Sequence, residues 1–217
     1  MLTYNDETVE DALDVFEQCA DLPCRFWGFK DIGLPPAQMN LLVDKMKEHG
    51  KTTFLEVVSL TEQECREGAR LALDCGFDYL MGTVFYPSVF EFLKGKPIKF
   101  LPFCGRVTGH PSVLEGSIEE AISEAKKMEA LGVDGFDLLA YRYVGDAEEL
   151  TRQLIASIEL PLVMAGSIDS FDRLDKVKQL NPWAFTIGSA FFDKKFVGDA
   201  PFRDQISSVL AYLEQEI

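Results

Sequence analysis

The sequence has little with which to hold a soft metal. It contains two histidines, His49 and His110, and five cysteines, Cys19, Cys24, Cys65, Cys75 and Cys104, with no Cys-x-x-Cys spacing. A zinc site is therefore short of ligands. The cysteines are odd in number, scattered and mostly set in apolar runs, the pattern of reduced core thiols rather than of a disulfide framework. Positive charge is scarce as well. With 21 Lys and Arg against 36 Asp and Glu, the net charge is -15 and the isoelectric point lies near 4.5. Such a field repels nucleic-acid backbones and anionic membrane surfaces, so neither is an expected partner. No apolar run is long enough to span a bilayer, and Met1 leads into Leu2-Thr3-Tyr4 without a basic, apolar leader. The expected location is the cytoplasm. No Gly-x-Gly-x-x-Gly is present, which removes the dinucleotide fingerprint. No Pro-, Gly- or Ser-rich tract separates two compositions, so residues 1–217 are expected to form one domain.

What is present is an alternation of short apolar runs with helical patterns. The predicted strands are Met1–Asn5, Cys24–Phe29, Thr52–Ser59, Asp78–Val84, Ile98–Cys104, Val133–Tyr141, and the two runs ending at Gly166 and Gly188. Between them the helices announce their ends: Pro35-Pro36 to Gly50, a capping box Thr61/Glu64, a second at Ser117/Glu120 stopping at Gly132, and Asp146 as a cap. The connection Tyr86–Leu93 has room for only a turn or two. Pro102 removes a ladder donor from strand five, and the segment Gly105–Gly116 is the longest loop. Eight strand–helix pairs predict an α/β fold, a (β/α)8 TIM barrel, near its lower size limit. An open doubly wound sheet uses the same alternation, but would place its glycine turn after the first strand.

Two stretches organise the rest: Leu160-Pro161-Leu162-Val163-Met164-Ala165-Gly166-Ser167 and Ala184-Phe185-Thr186-Ile187-Gly188-Ser189. Each is an apolar run breaking at Gly-Ser. Glycine lets the main chain approach an anion, and loop amides with the hydroxyls of Ser167 and Ser189 supply donors. Gly166, Ser167, Gly188 and Ser189 are thus the expected phosphate-binding set, with plain turn glycines as the alternative.

In a barrel, polar side chains at the carboxyl ends of strands face the active site. Lys30 ends an aromatic strand. Glu56 is embedded in Phe54-Leu55-Glu56-Val57-Val58, where an unpaired carboxylate is costly, so it serves as a base or sits in an ion pair with Lys30. Asp137 in Gly135-Phe136-Asp137-Leu138 has the same two readings. Lys30, Glu56 and Asp137 are the catalytic candidates; Asp6, Arg106, His110 and Tyr141 are the substrate-binding candidates.

Ala165-Gly166-Ser167-Ile168 followed by Thr186-Ile187-Gly188-Ser189-Ala190-Phe191 resembles the paired phosphate turns of the ribulose-phosphate-binding barrels, and closest in feel the histidine-biosynthesis sugar isomerase and cyclase group. The resemblance implies a small phosphorylated substrate, no cofactor and isomerase or epimerase chemistry. A carbon–carbon lyase using Lys30 as an imine former, a phospho-metabolite sensor without turnover, and a flavin-phosphate enzyme are the alternatives. Homodimerisation is compatible with such a barrel. The family's usual aspartates on strands one and five are not matched here, since Asp6 follows strand one and strand five ends in Cys104-Gly105-Arg106.

Overall fold

The structure, a computed structural model, describes residues 1–109 and 111–214. In chain order the elements are β1 (Thr3–Tyr4), β2 (Glu7–Thr8), α1 (Ala12–Glu17), β3 (Phe26–Lys30), α2 (Pro36–Glu48), β4 (Thr52–Val57), α3 (Glu62–Asp74), β5 (Tyr79–Gly82), α4 (Pro87–Leu93), β6 (Lys99–Leu101), β7 (Arg106–Thr108), β8 (Val113–Glu115), α5 (Ile118–Leu131), β9 (Phe136–Leu139), a 3-10 turn (Ala140–Arg142), α6 (Ala147–Ser157), β10 (Leu162–Ala165), α7 (Phe171–Leu180), β11 (Ala184–Phe185), α8 (Ser189–Phe192) and α9 (Phe202–Leu213). Parallel pairing runs β3-β4-β5-β6 in one sheet and β9-β10-β11 in another. The two sheets join into a closed barrel at both seams. Phe103 bridges Asp137 in parallel, with the Asp137 amide donating to the Pro102 carbonyl at 3.0 Å. At the other seam the Leu2 amide donates to the Gly28 carbonyl at 2.8 Å, and the Met1 nitrogen donates to the Ile187 carbonyl at 2.9 Å. Pro102 thus ends the regular ladder at Leu101, as its missing N–H requires, but its carbonyl still serves the seam.

Strand ends are tied by acids at the foot of the next strand. The Thr53 amide and hydroxyl donate to the Asp78 carboxylate, and the Phe100 amide donates to Asp134. Helix ends follow the local chemistry. Ser117 and Glu120 close a reciprocal capping box, Gly132 stops α5 at φ 99°, and Thr61 and Asp146 cap α3 and α6. Between strands and helices lies the main core, in which Phe16, Phe29, Phe77, Phe100 and Phe136 are fully buried, each contributing about 1.5–3 kcal/mol. Inside the barrel a separate cluster of Phe54, Met81, Leu101 and Val163 forms an apolar floor. Glu56 stands two residues above Phe54 on the same strand, so it projects into the same interior, one layer higher.

Three expectations change. The first strand does not run on into a helix; it turns back as an antiparallel hairpin, Thr3–Tyr4 against Glu7–Thr8, with Asn5 and Asp6 at φ 49° and 66°. Asp6 is therefore at a hairpin tip, not merely past a strand. The long fifth loop is an antiparallel ribbon, Arg106–Thr108 against Val113–Glu115. Strand six stops at Leu139, and Tyr141 lies in the 3-10 turn.

Candidate functional site

At the carboxyl ends of the barrel strands a cavity of about 220 Å³ is lined by Gly166, Ser167, Gly188 and Ser189 together with Asp6, Lys30, Glu56 and Arg142. The two Gly-Ser turns thus share one cavity with the charged residues. Backbone geometry explains the glycines. Gly166 has φ 86°, and a Cβ there would lie 3.1 Å from the Arg142 Cγ; at Gly188 a Cβ would lie 2.4 Å from the Thr3 Oγ1 and 3.1 Å from the Thr3 carbonyl. Among the described residues the amides of Gly166, Ser167, Gly188 and Ser189 donate to no other backbone or side-chain group. The Ser189 hydroxyl accepts from the Asn5 amide at 3.1 Å, which ties the hairpin to the last turn.

The same cavity holds a charge network centred on Asp6 of the hairpin. Lys30 Nζ is 2.7 Å from Asp6 Oδ1 and 3.5 Å from Glu56 Oε1, and the Lys30 and Glu56 side chains are only 6% and 7% exposed. Arg142 grips Asp6 with both guanidinium nitrogens, NH2 at 2.7 Å and NH1 at 3.1 Å. Burial works against ionisation of Asp6, yet the hydrogen bonds from Arg142 and Lys30 prevail and hold its carboxyl well below the ordinary range. Burial likewise lowers Lys30, but Glu56 and Asp6 outweigh it, so the ammonium stays charged more firmly than a free lysine.

Asp137 is placed differently. It is fully buried, both carboxylate oxygens have no partner among the described residues, and it does not line the cavity. Burial, and next the Glu56 charge, push its pKa well above the ordinary value. The three expected catalytic residues therefore separate: Lys30 and Glu56 line the cavity, and Asp137 lies outside its lining. The hydroxyl of Thr83, a fully buried β-branched residue at φ 68°, is likewise unpartnered. Asp31, adjacent to Lys30 in sequence, has one buried, unpartnered oxygen and is raised to about 6 by burial.

A stability prediction follows from these two acids. In the folded state Asp137 keeps a proton that the unfolded chain releases near pH 4. The folded state then binds more protons, so stability falls as pH rises above about 4; Asp31 contributes to this fall up to about 6, and the raised Asp137 adds to it in the same direction. Asp137→Asn removes the ionisable proton and keeps the shape. Urea unfolding is expected to show the variant gaining about 1 kcal/mol or more over the parent between pH 5 and pH 8. An equal difference at both pH values would show that Asp137 is not held neutral.

The remaining expectations divide. Asp6 does line the cavity. Arg106 does not: it projects from the ribbon, 69% exposed, and pairs with Glu115 at 3.4 Å. Its place is taken by Arg142, which sequence reasoning missed although a cation just past strand six was a visible signal. Tyr141 is also apart; its ring lies beneath the Arg173 guanidinium at 4.6 Å and its hydroxyl has no partner among the described residues. His110 lies outside the described residues. Among the described residues no group of three His, Cys, Asp or Glu is arranged to hold a metal ion, and no helix is long and apolar enough to cross a membrane.

No family model matches the chain. A curated protein of Enterobacter sp. (strain 638), named provisionally as an N-acetylmannosamine-6-phosphate 2-epimerase, is 26% identical over 98 residues, 41% of this chain and 42% of that protein. The match thus spans less than half of the relative's length. Among solved structures, N-(5'-phosphoribosyl)anthranilate isomerase from Pyrococcus furiosus is similar at TM-score 0.63 and 12% identity, covering 96% of each chain. A structure described as native KDPGal is similar at TM-score 0.69 and 11% identity, covering 95% of this chain and 90% of the other. The expected architecture is therefore the observed one: this chain has the α/β fold of the TIM barrels over nearly its whole length.

Proposed function

We propose that the protein is an enzyme that binds a small phosphorylated metabolite, of the sugar-phosphate class, at the polar mouth of the barrel and moves a proton next to its carbonyl. The observation that carries this reading is the cavity's lining, which brings the two Gly-Ser turns together with Lys30 and Glu56. A phosphate seated on the amides would hold the carbon chain over Glu56. The Glu56 carboxylate takes the proton from the carbon beside the carbonyl, the electron pair moves onto the carbonyl oxygen, and the Lys30 ammonium neutralises that oxygen. Return of the proton to the neighbouring carbon, with the hydroxyl proton there passing to the former carbonyl oxygen, gives isomerisation; delivery of a proton from a second acid to the opposite face of the original carbon gives epimerisation. The names of the Enterobacter relative and the Pyrococcus neighbour, an epimerase and an isomerase of phosphorylated compounds, support this substrate class.

The imine-forming variant is less well supported. A lysine attacks a carbonyl only after losing its proton, and Lys30 is held charged by Glu56 and Asp6. Incubating the protein with candidate sugar phosphates in heavy water, with mass and NMR detection, tests both routes. Solvent deuterium is expected to enter the substrate, Glu56→Gln is expected to abolish this exchange by at least about 100-fold, and borohydride is expected to trap no adduct. An adduct on Lys30 would establish the lyase reading. Phosphate binding with no exchange across the panel would favour a sensor.

A further inference from the structure

A second cavity is larger than the polar one. At the opposite, amino-terminal end of the barrel lies a space of about 460 Å³, within the size range of small-molecule sites. Its inner wall is the apolar floor, Phe54, Met81 and Val163, and its outer wall is α9, through Ile206 and Leu210. It passes between β3 and β11, below the level of the Leu2–Gly28 hydrogen bond. There the peptide groups of Phe26 and Phe185 point into the gap, because the neighbouring residues on each strand are the ones that bond to β4 and β10. Among the described residues Phe185 has no backbone partner on that side, and the Phe26 carbonyl receives only the Cys24 thiol, at 3.4 Å. The cavity is thus apolar with a few fixed polar handles, the composition of a ligand site.

Trp183 stands at this end with its ring centroid 5.2 Å from that of Phe26 and 5.7 Å from that of Tyr79, and is 40% exposed. The lining includes an exposed cation, Arg25, in a chain whose net charge is -15. Arg25 lies with its guanidinium carbon 5.7 Å from the Phe26 ring centre, beside the opening. An apolar body inside and a cationic rim outside select an amphiphile with an anionic head.

We propose that this cavity is a second ligand site, separate from the phosphate turns, and that it takes a medium-chain carboxylic acid, with the chain between the barrel floor and α9 and the carboxylate at Arg25. A chain of about ten carbons suits a cavity of this size, so the probe is decanoate. Both tryptophans of the sequence, Trp27 and Trp183, line the cavity, so their emission reports occupancy directly. Titration of the full chain with decanoate is expected to give a saturable emission change, confirmed by calorimetry, with decanol binding about tenfold more weakly. Arg25→Glu, at an exposed position, is expected to erase that preference without changing the thermal melt. Leu210→Phe, filling a half-buried position of the wall, is expected to weaken both probes at least tenfold. A flat titration up to about 1 mM, or saturable binding that neither substitution alters, overturns the proposal.

Discussion

Lys30→Met is expected to abolish proton exchange and to destabilise the fold by about 3–5 kcal/mol, the cost of leaving buried carboxylates without their cation. Lys30 is shared by Asp6 at 2.7 Å and Glu56 at 3.5 Å, and all three lie in the barrel mouth with little exposure. Methionine keeps the length of the side chain and removes the charge, so the loss is electrostatic rather than a cavity. The double variant Lys30→Met/Glu56→Gln removes the stranded carboxylate and leaves Asp6 to its bidentate pair with Arg142. Urea unfolding is therefore expected to show recovery of about 1–3 kcal/mol relative to the single variant, while exchange remains absent. If the single variant were as stable as the parent, the network would not be the coupled unit described here. If the double variant recovered exchange, neither residue would be chemical.

Gly188→Ala carries the second large effect. Its Cβ would meet the Thr3 Oγ1 at 2.4 Å and the Thr3 carbonyl at 3.1 Å, so the last turn and the first strand must part. The amides of that turn would then lose their aim at a bound phosphate. Losing one or two hydrogen bonds to a charged group, each about 1.5–3 kcal/mol, weakens binding by roughly tenfold to ten-thousandfold. Calorimetry with inorganic phosphate is expected to show this loss, and Thr3→Ala in the same chain, by removing the hydroxyl, is expected to restore part of it. Unchanged phosphate affinity in Gly188→Ala would mean that the anion sits elsewhere.

The barrel was legible in the sequence because its strands are interior on both faces and read as apolar runs, and because Ser117, Glu120, Asp146 and Gly132 mark helix ends through local chemistry alone. The pairing of the two Gly-Ser turns was legible for the same reason: glycine before a helix-length segment is a local signal. What escaped was set by tertiary contacts. The hairpin that carries Asp6 back over the mouth depends on Asn5 and Asp6 accepting positive φ, and nothing local to Leu2-Thr3-Tyr4 distinguishes it from a plain strand. Arg106 and Arg142 are both cations shortly after strands. Only the ribbon, which turns Arg106 toward Glu115, and the 3-10 turn, which brings Arg142 to Asp6, separate them. Asp137 was read as a base or a member of an ion pair, yet both its oxygens are buried without a partner among the described residues; the period of two along a strand does not say how deep in the barrel a side chain lies.

The network also bears on the choice among functions. A site meant only to hold a phosphate needs the amides and one cation. Here a buried lysine, two carboxylates and an arginine line the same cavity as the Gly-Ser turns, groups that the proposed proton transfer would use and simple retention would not.

The most direct measurement is an amide NMR titration of the whole protein with inorganic phosphate, with Gly166, Ser167, Gly188 and Ser189 assigned. The account predicts that these four amides shift together and saturate with one dissociation constant, while Arg106 on the ribbon stays still. Saturable shifts elsewhere with these four amides unmoved, or no saturable shift at all, would contradict it.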